Sequence, residues 1–276
     1  MNGSSSSPRP SKKVDPSLRR ATVPRMVPSF PWSQASFNDL FRGAVGEYWK
    51  GRSQQARKQK RTGGRDAGTR GEVTGGQHLN AFAHLLIQVI RAAGIPADAI
   101  HFDKPLVLPG YYRSQKKWDI VVSRDRELLA AIELEAHLGR MRADFNRRIE
   151  GILGRTRDFW TAYRERAFQI TPRPWLGQFL LLPDEPALHR PAPGIASPFP
   201  PRPEFVEASM LDHYRMFAER LFLERDVSGV ALVALPPASR SPSFNEPHPD
   251  LPVFRFARAL YEHVQGCAHE ANGFAA

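Results

Sequence analysis

The sequence has a single cysteine and lacks long apolar segments, and both absences restrict the class of protein. Cys267 has no second cysteine to pair with within these 276 residues, so we expect no internal disulfide and a reducing compartment. Apolar runs such as those at 179–182 and 230–235 are far shorter than the roughly 20 residues that span a bilayer. No apolar stretch typical of a signal peptide follows the basic N-terminal segment. We therefore expect a cytoplasmic protein with no membrane partner.

Positive charge is abundant but confined to one part of the chain. The formal net charge is +11, and residues 1–71 hold 15 basic and 4 acidic side chains, whereas residues 72–276 hold 24 of each. A basic segment on a neutral body suits a polyanion, because neutralised phosphates release condensed counterions. For the first cluster, at 9–25, phosphate binding and a merely solubilising tail both stay open. In the second cluster we predict phosphate contacts by Arg57, Lys58, Lys60, Arg61 and Arg65.

Periodicity divides the chain into a tail and one domain. Residues 1–33 are rich in serine, proline and basic residues, and we predict that they are disordered. Residues 34–276 are predicted to form a single α/β domain, in which a hairpin at about 104–137 separates helical segments from alternating helices and strands. Helical spacing occurs at 36–49, 77–93, 143–168, 208–225 and 253–264, and strands are predicted at 118–122, 128–135, 177–182 and 229–235. This order predicts a mixed central sheet flanked by helices.

Three carboxylates lie on the predicted hairpin. Glu133 and Glu135 are two residues apart on one strand and so share a face, and an antiparallel turn at 124–127 would bring Asp119 near Glu133. Carboxylates brought this close repel one another unless a divalent cation lies between them, and all-oxygen ligands favour Mg²⁺. Such an ion could activate a water molecule for phosphodiester hydrolysis. The alternative is a solvent-facing strand that happens to carry acidic residues. His137, on the same face, could be a further ligand, although a surface histidine is the simpler expectation.

Several ordered segments around these acids resemble the XhoI family of type II restriction endonucleases. They are LPGYYRSQKKWDIVV at 108–122, AAIELE at 130–135, DFWTAYRE at 158–165, VTGG at 73–76 and AAGIP at 92–96. The resemblance runs from about residue 45 to 168 and is weaker beyond.

The resemblance implies the restriction-endonuclease-like PD-(D/E)xK fold and Mg²⁺-dependent cleavage of both strands of double-stranded DNA at a short palindrome, by a homodimer. It points to CTCGAG as the site and to a separately encoded DNA methyltransferase that protects the host. On this sequence, Asp119 and Glu133 match the family's two metal-binding acids.

The third catalytic position departs from the family, which has lysine where this chain has Glu135. The resemblance to BamHI, which has glutamate at that place, implies that activity can persist. Three possibilities stay open. Glu135 could be a water-activating base or an extra metal ligand, Lys117 could replace the missing cation, or the protein could bind DNA without cutting it. A structure-specific repair nuclease, which would need no palindrome, is a further alternative.

Other polar residues near the hairpin are candidates for DNA contact. Arginine and lysine read guanine edges, glutamine reads adenine, and all can hold phosphate. On the segment before Asp119 these candidates are Arg113, Gln115 and Lys116, and on the helix after the catalytic strand they are Asn146, Arg147 and Arg148. For the helix, a charged outer face is an equally good explanation.

Overall fold

The computed structural model describes residues 29–61, 79–102, 104, 106–124, 126–139, 141–168, 173–191 and 197–273. Within them, one mixed sheet lies between two layers of helices. The helices are α1 (Gln34–Arg61), α2 (Asn80–Ala92), α3 (Met141–Arg164), α4 (Met210–Leu223) and α5 (Val253–Gly273). No helix in this part of the chain is both long and apolar enough to cross a membrane.

The sheet contains five of the seven strands found in the described residues. The strands are β1 (Ile100–His101), β2 (Val107–Pro109), β3 (Gln115–Lys117), β4 (Ile120–Arg124), β5 (Glu127–Ala136), β6 (Trp175–Pro183) and β7 (Gly229–Leu235). Their order in the sheet is β1-β4-β5-β6-β7, and β2 pairs only with β3. Strands β1, β4 and β5 are antiparallel neighbours, whereas β5, β6 and β7 are parallel. Parallel neighbours need crossover connections, which α3 and α4 provide.

Side-chain alternation sends the residues of each strand to two separate cores. On β5, Ile132 and Leu134 face a core built with α1, α2 and α5, whereas Ala131 faces a core built with α3 and α4. Glu133 and Glu135 therefore lie on the α3–α4 side of the sheet. The strand that carries both acids is therefore packed between the two helical layers.

The predicted α/β architecture is confirmed, and the predicted hairpin is strands β4 and β5. The boundary between the predicted tail and the domain differs. Phe30 and Trp32, which fall within the predicted disordered tail, pack against the first core, and the Phe30 ring contacts those of Phe254 and Tyr261. Their large apolar surfaces explain this packing, so the described chain joins the domain at residue 29 rather than 34. Residues 1–28, and the loop predicted at 62–76, lie outside the described residues.

Candidate active site

Strand pairing places Asp119 and Glu133 side by side at the start of β4. Ile120 pairs with Ile132, so the next positions outward on the two strands are Asp119 and Glu133. The Asp119 carboxylate is fixed by the backbone, because its Oδ2 accepts a hydrogen bond from the N–H of Leu134 at 2.8 Å. Only 14% of the Glu133 side chain is exposed. The two acids that the resemblance assigned to metal binding are therefore neighbours in a mostly buried position.

Burial raises the pKa of both carboxyl groups. For Asp119, burial has the largest effect on the pKa, and the Leu134 N–H and the charges of Lys116, Arg155 and Lys117 oppose it. For Glu133, burial again raises the pKa, Lys116 lowers it most, and the negative charge of Asp119 raises it further. A pair of partly desolvated acids that repel each other favours an added cation.

Glu135 is held by two other side chains. Its Oε1 pairs with the guanidinium of Arg155 on α3, and its Oε2 lies 2.7 Å from Nε2 of His137. Burial and the charge of Arg148 lower the pKa of His137 to about 3, so this histidine is neutral. A carboxylate only accepts, so Nε2 carries the proton and donates to Glu135, and Nδ1 accepts from the Tyr214 hydroxyl at 3.0 Å.

The expectation that His137 is a surface histidine is wrong. Only 2% of the residue is exposed, because Tyr214 of α4 covers it. Strand alternation places His137 on the face of Glu135, but the local pattern does not show that α4, distant in sequence, covers this end of the strand.

Two cations neutralise the acids. The Nζ of Lys116 donates to both carboxylate oxygens of Glu133, at 2.8 and 3.0 Å, and lies 4.5 Å from the centre of the Trp118 ring. Arg155 reaches Glu135 and also approaches Glu133, with Nε 4.0 Å from Oε1. Lys117 is exposed, and its charge has a weaker effect on the pKa of Asp119 than those of Lys116 and Arg155.

The prediction that Asp119, Glu133 and Glu135 converge on one site is wrong. Among the described residues, no group of three or more acidic, histidine or cysteine side chains is placed to hold a metal. The reason is that Glu135 turns to Arg155 and His137, which leaves Asp119 and Glu133 as a pair. The pair fits Mg²⁺, which binds proteins through one or two carboxylates together with water and substrate phosphate oxygens.

A buried aspartate on α3 anchors the segment that leads into β3. Asp158, 3% exposed, accepts hydrogen bonds from the backbone N–H groups of Tyr111 and Tyr112 and pairs with Arg113 at 2.8 Å. This segment carries the aromatic rings of Tyr111 and Tyr112 on the surface, 53% and 66% exposed. Asp158 thus fixes a polar, aromatic loop to the helix that also carries Arg155.

The structure separates the predicted DNA-contacting residues into different environments. Gln115, Asn146 and Arg147 are exposed, and Arg113 is 40% exposed although it is paired. Arg148 is largely covered and donates to the Leu138 carbonyl, while Lys116 is directed at Glu133 rather than outward. The backbone of Arg57, Lys58, Lys60 and Arg61 continues α1, but their side chains, and all of Arg65, lie outside the described residues.

Sequence reasoning missed Arg155, Asp158 and Gln178. Arg155 lies three residues after the buried Ile152 and four before the buried Phe159, so a charged residue on the core-facing stripe of α3 was the available signal. Gln178 stands opposite Glu133 in the parallel register of β5 and β6, is 3% exposed, and its Nε2 has no hydrogen-bond partner among the described residues. A single polar residue inside the apolar run of β6 was its signal.

A five-stranded mixed sheet flanked by helices, with two acids side by side on adjoining antiparallel strands, is consistent with the restriction-endonuclease-like fold. The sequence model of the family described as restriction endonuclease XhoI matches residues 58–245. The type II restriction enzyme BstVI of Geobacillus stearothermophilus is 35% identical over 212 residues, covering 74% of this chain and 95% of that protein. The type II restriction enzyme XhoI of Xanthomonas vasicola is 32% identical over 193 residues, which cover 69% of this chain and 77% of that protein. The type II restriction enzyme AbrI of Azospirillum brasilense is 38% identical over 154 residues, which cover 55% of this chain and 69% of that protein. No solved structure matches the chain significantly.

The chain belongs to the XhoI family of restriction endonucleases. Family membership makes it an enzyme of the type II restriction endonuclease class, which acts on DNA.

Proposed function

We propose that this protein is a Mg²⁺-dependent type II deoxyribonuclease that cleaves both strands of DNA at a short palindrome similar to CTCGAG. The observation that carries the proposal is the pairing of Asp119 with Glu133 across β4 and β5, next to Lys116 and Arg155. The family and the named relatives support site-specific cleavage within a restriction-modification system. The metal, the palindrome and the recognition sequence are our proposals.

Each residue of the site has a distinct role in this mechanism. Asp119 and Glu133 would hold Mg²⁺, which when bound supplies Lewis-acid activation of water and stabilises negative charge on the phosphate. Glu135 accepts the proton of the attacking water, and its carboxylate is kept in place by the N–H of His137. Lys117, exposed beside Asp119, contributes positive charge toward the DNA backbone. The exposed Gln115, Asn146 and Arg147, together with Arg113, contact bases or phosphates.

A second candidate function is DNA binding without cleavage. The contact of Glu135 with Arg155 and His137 favours it, because a carboxylate engaged on both oxygens has less freedom to act as a base. This protein would keep the fold and bind duplex DNA, but Mg²⁺ would not support hydrolysis.

The proposed palindrome bears on the oligomeric state of the protein and on how the host DNA is protected. A two-fold symmetric DNA site is matched by a two-fold symmetric protein, so we propose a homodimer in which each protomer cuts one strand. A separately encoded methyltransferase would protect the same sequence in the host. Both proteins would work in the cytoplasm, where the chromosome lies.

A digest of methylation-free phage DNA tests the proposal. We expect discrete fragments in Mg²⁺, whose mapped ends give the recognition site, and at least about a hundredfold loss of rate in Asp119→Ala. Binding of duplex DNA in Ca²⁺ should persist in Asp119→Ala. A smear would instead identify a structure-specific nuclease. Binding in Ca²⁺ without cleavage in either Mg²⁺ or Mn²⁺ would establish the DNA-binding alternative.

A further inference from the structure

Positive charge reaches the acidic strand from α3. Arg155 lies on the core-facing side of this helix, 18% of its side chain is exposed, and its guanidinium contacts Glu135 and approaches Glu133. Burial has the largest effect and lowers the pKa of Arg155; the charge of Arg113 lowers it further, whereas the charges of Glu133 and Asp119 raise it. Arg155 is therefore partly desolvated by burial, and the carboxylates of the site favour its charged form.

Arg155 and Lys116 contact different carboxylates of the site. Lys116 is tied to Glu133, to the Lys117 carbonyl at 2.8 Å and to the Trp118 ring, so it serves the Asp119–Glu133 pair. Arg155 contacts the carboxylate of Glu135, and its Nε is buried without a hydrogen-bond partner in the described part of the chain. A guanidinium has five donors in a rigid fork and can orient a carboxylate while its charge acts on neighbouring groups.

We propose that Arg155 is the positioning cation of this active site, and that it provides from a helix the positive charge that the strand itself lacks at Glu135. The inference rests on the proposed nuclease function. Arg155 fixes one oxygen of Glu135 while His137 fixes the other, and it partly neutralises Glu133 and Asp119 when no metal is bound. Its guanidinium thus both orients the base and weakens the repulsion within the acidic group.

Moving the charge from the helix to the strand tests this assignment. Arg155→Met should lower kcat about a hundredfold at saturating DNA, and Arg155→Lys should recover most of the loss, because the charge is restored. Glu135→Lys alone should be similarly impaired, since it brings two cations into contact. Adding Arg155→Met to Glu135→Lys should raise kcat at least about tenfold above that of Glu135→Lys, because residues in contact are coupled.

Two matched controls separate position from charge. Lys116→Met removes the same charge from a residue that contacts Glu133, so combined with Glu135→Lys it should give no recovery. Arg157→Met changes an exposed arginine two residues further along α3 and should leave kcat and the thermal midpoint unchanged.

Calorimetric binding of Mn²⁺ without DNA provides a readout that a folding defect would not mimic. Loss of the competing cation should make Arg155→Met bind Mn²⁺ about three- to tenfold more tightly than the natural protein, whereas a disordered site would bind it more weakly. Unchanged or weaker Mn²⁺ binding, or recovery by Lys116→Met equal to that by Arg155→Met, would overturn the inference. Failure of the natural protein to cut DNA overturns the nuclease proposal, and the Mn²⁺ measurement still decides the role of Arg155.

Discussion

Asp119 illustrates how the site opposes the stability of the fold. Its carboxylate is partly buried, so ionisation costs free energy that the Leu134 N–H and nearby cations only partly return. Active sites often carry such a cost, since a charge suited to binding a metal is poorly suited to a metal-free interior. The cost should therefore be measurable as a function of pH.

Asp119→Asn should stabilise the metal-free protein at neutral pH by about 1 kcal/mol, because the amide keeps an acceptor for Leu134 and removes the buried charge. The raised folded-state pKa fixes the sign. The stabilisation that the neutral carboxyl gives is complete below the unfolded-state value of about 4 and is lost as pH rises through the folded-state value. The gain from Asp119→Asn should thus be small near pH 4 and increase toward pH 7 in denaturant titrations.

Saturating Mg²⁺ should reverse the order, since it stabilises only the protein that binds it. Asp39→Asn is the control, because Asp39 pairs with Arg42 on the exposed face of α1 and its replacement should change the unfolding free energy by only a few tenths of a kcal/mol. A gain from Asp119→Asn that is constant between pH 4 and pH 7 would contradict the assignment of a buried charge.

At the scale of elements, two glycines in register make room for an indole ring. Gly177 on β6 pairs with Gly229 on β7, and the ring of Trp175 covers both. A Cβ at Gly229 would lie 2.5 Å from the Trp175 ring, and one at Gly177 would lie 2.3 Å from it. Trp175 in turn contacts Phe256 of α5 edge to face, so the indole ring packs the parallel strands against a helix of the first core.

Gly229→Ala should therefore destabilise the protein by about 1–3 kcal/mol, because the added methyl forces the Trp175 ring from its packing against Phe256. Denaturant unfolding measures the loss, and tryptophan fluorescence should change with it. Gly43→Ala is the matched control, since nothing lies within 4 Å of a Cβ at this position inside α1, and alanine there should stabilise by about 0.5–1 kcal/mol. Equal effects of the two substitutions would exclude the steric explanation.

Periodicity was sufficient to predict the regular elements and insufficient to predict the contacts between them. Strands β4 to β7 are short apolar runs and the helices carry apolar stripes, so local pattern located each of them. The pairing of Asp119 with Glu133 also followed, because a short turn fixes an antiparallel register. In contrast, Asp158 accepts hydrogen bonds from the backbone of Tyr111 and Tyr112, which lie 47 and 46 residues away, and no local signal specifies that contact.

The same limit explains the errors in the site. Alternation correctly predicts that Glu135 and His137 share one face. Their partners are Arg155 of α3 and Tyr214 of α4, and these contacts turn both side chains away from Asp119. A charged residue on an apolar stripe is ambiguous in sequence, since its partner can be a carboxylate, a backbone carbonyl or solvent. Packing of the helix against the sheet removes that ambiguity.

At the scale of the whole molecule, charge and catalysis occupy different parts of the chain. The entire excess of 11 positive charges lies in residues 1–71, whereas residues 72–276, which include all the acids of the site, are balanced. Basic residues that neutralise phosphates give affinity that decreases with salt, and residues at the acidic site determine cleavage. The two properties should consequently separate by mutation.

We predict the effect of replacing four basic residues together by glutamine, namely Arg57, Lys58, Lys60 and Arg61. The plot of the logarithm of the DNA-binding constant against the logarithm of salt concentration should become less steep by about three to four units, since each phosphate contact contributes about 0.9. The recognition site and kcat at saturating DNA should stay the same, because none of the four lies among the residues assigned to the acidic site. Fluorescence anisotropy of labelled duplex DNA in Ca²⁺ measures the slope.

The control replaces four arginines that already pair with acidic side chains, namely Arg202, Arg215, Arg220 and Arg258. Their loss changes net charge equally but removes no phosphate contact, so the slope should hardly change. Equal slopes for the two quadruple variants would mean that overall charge alone, and not the second basic cluster, holds the DNA.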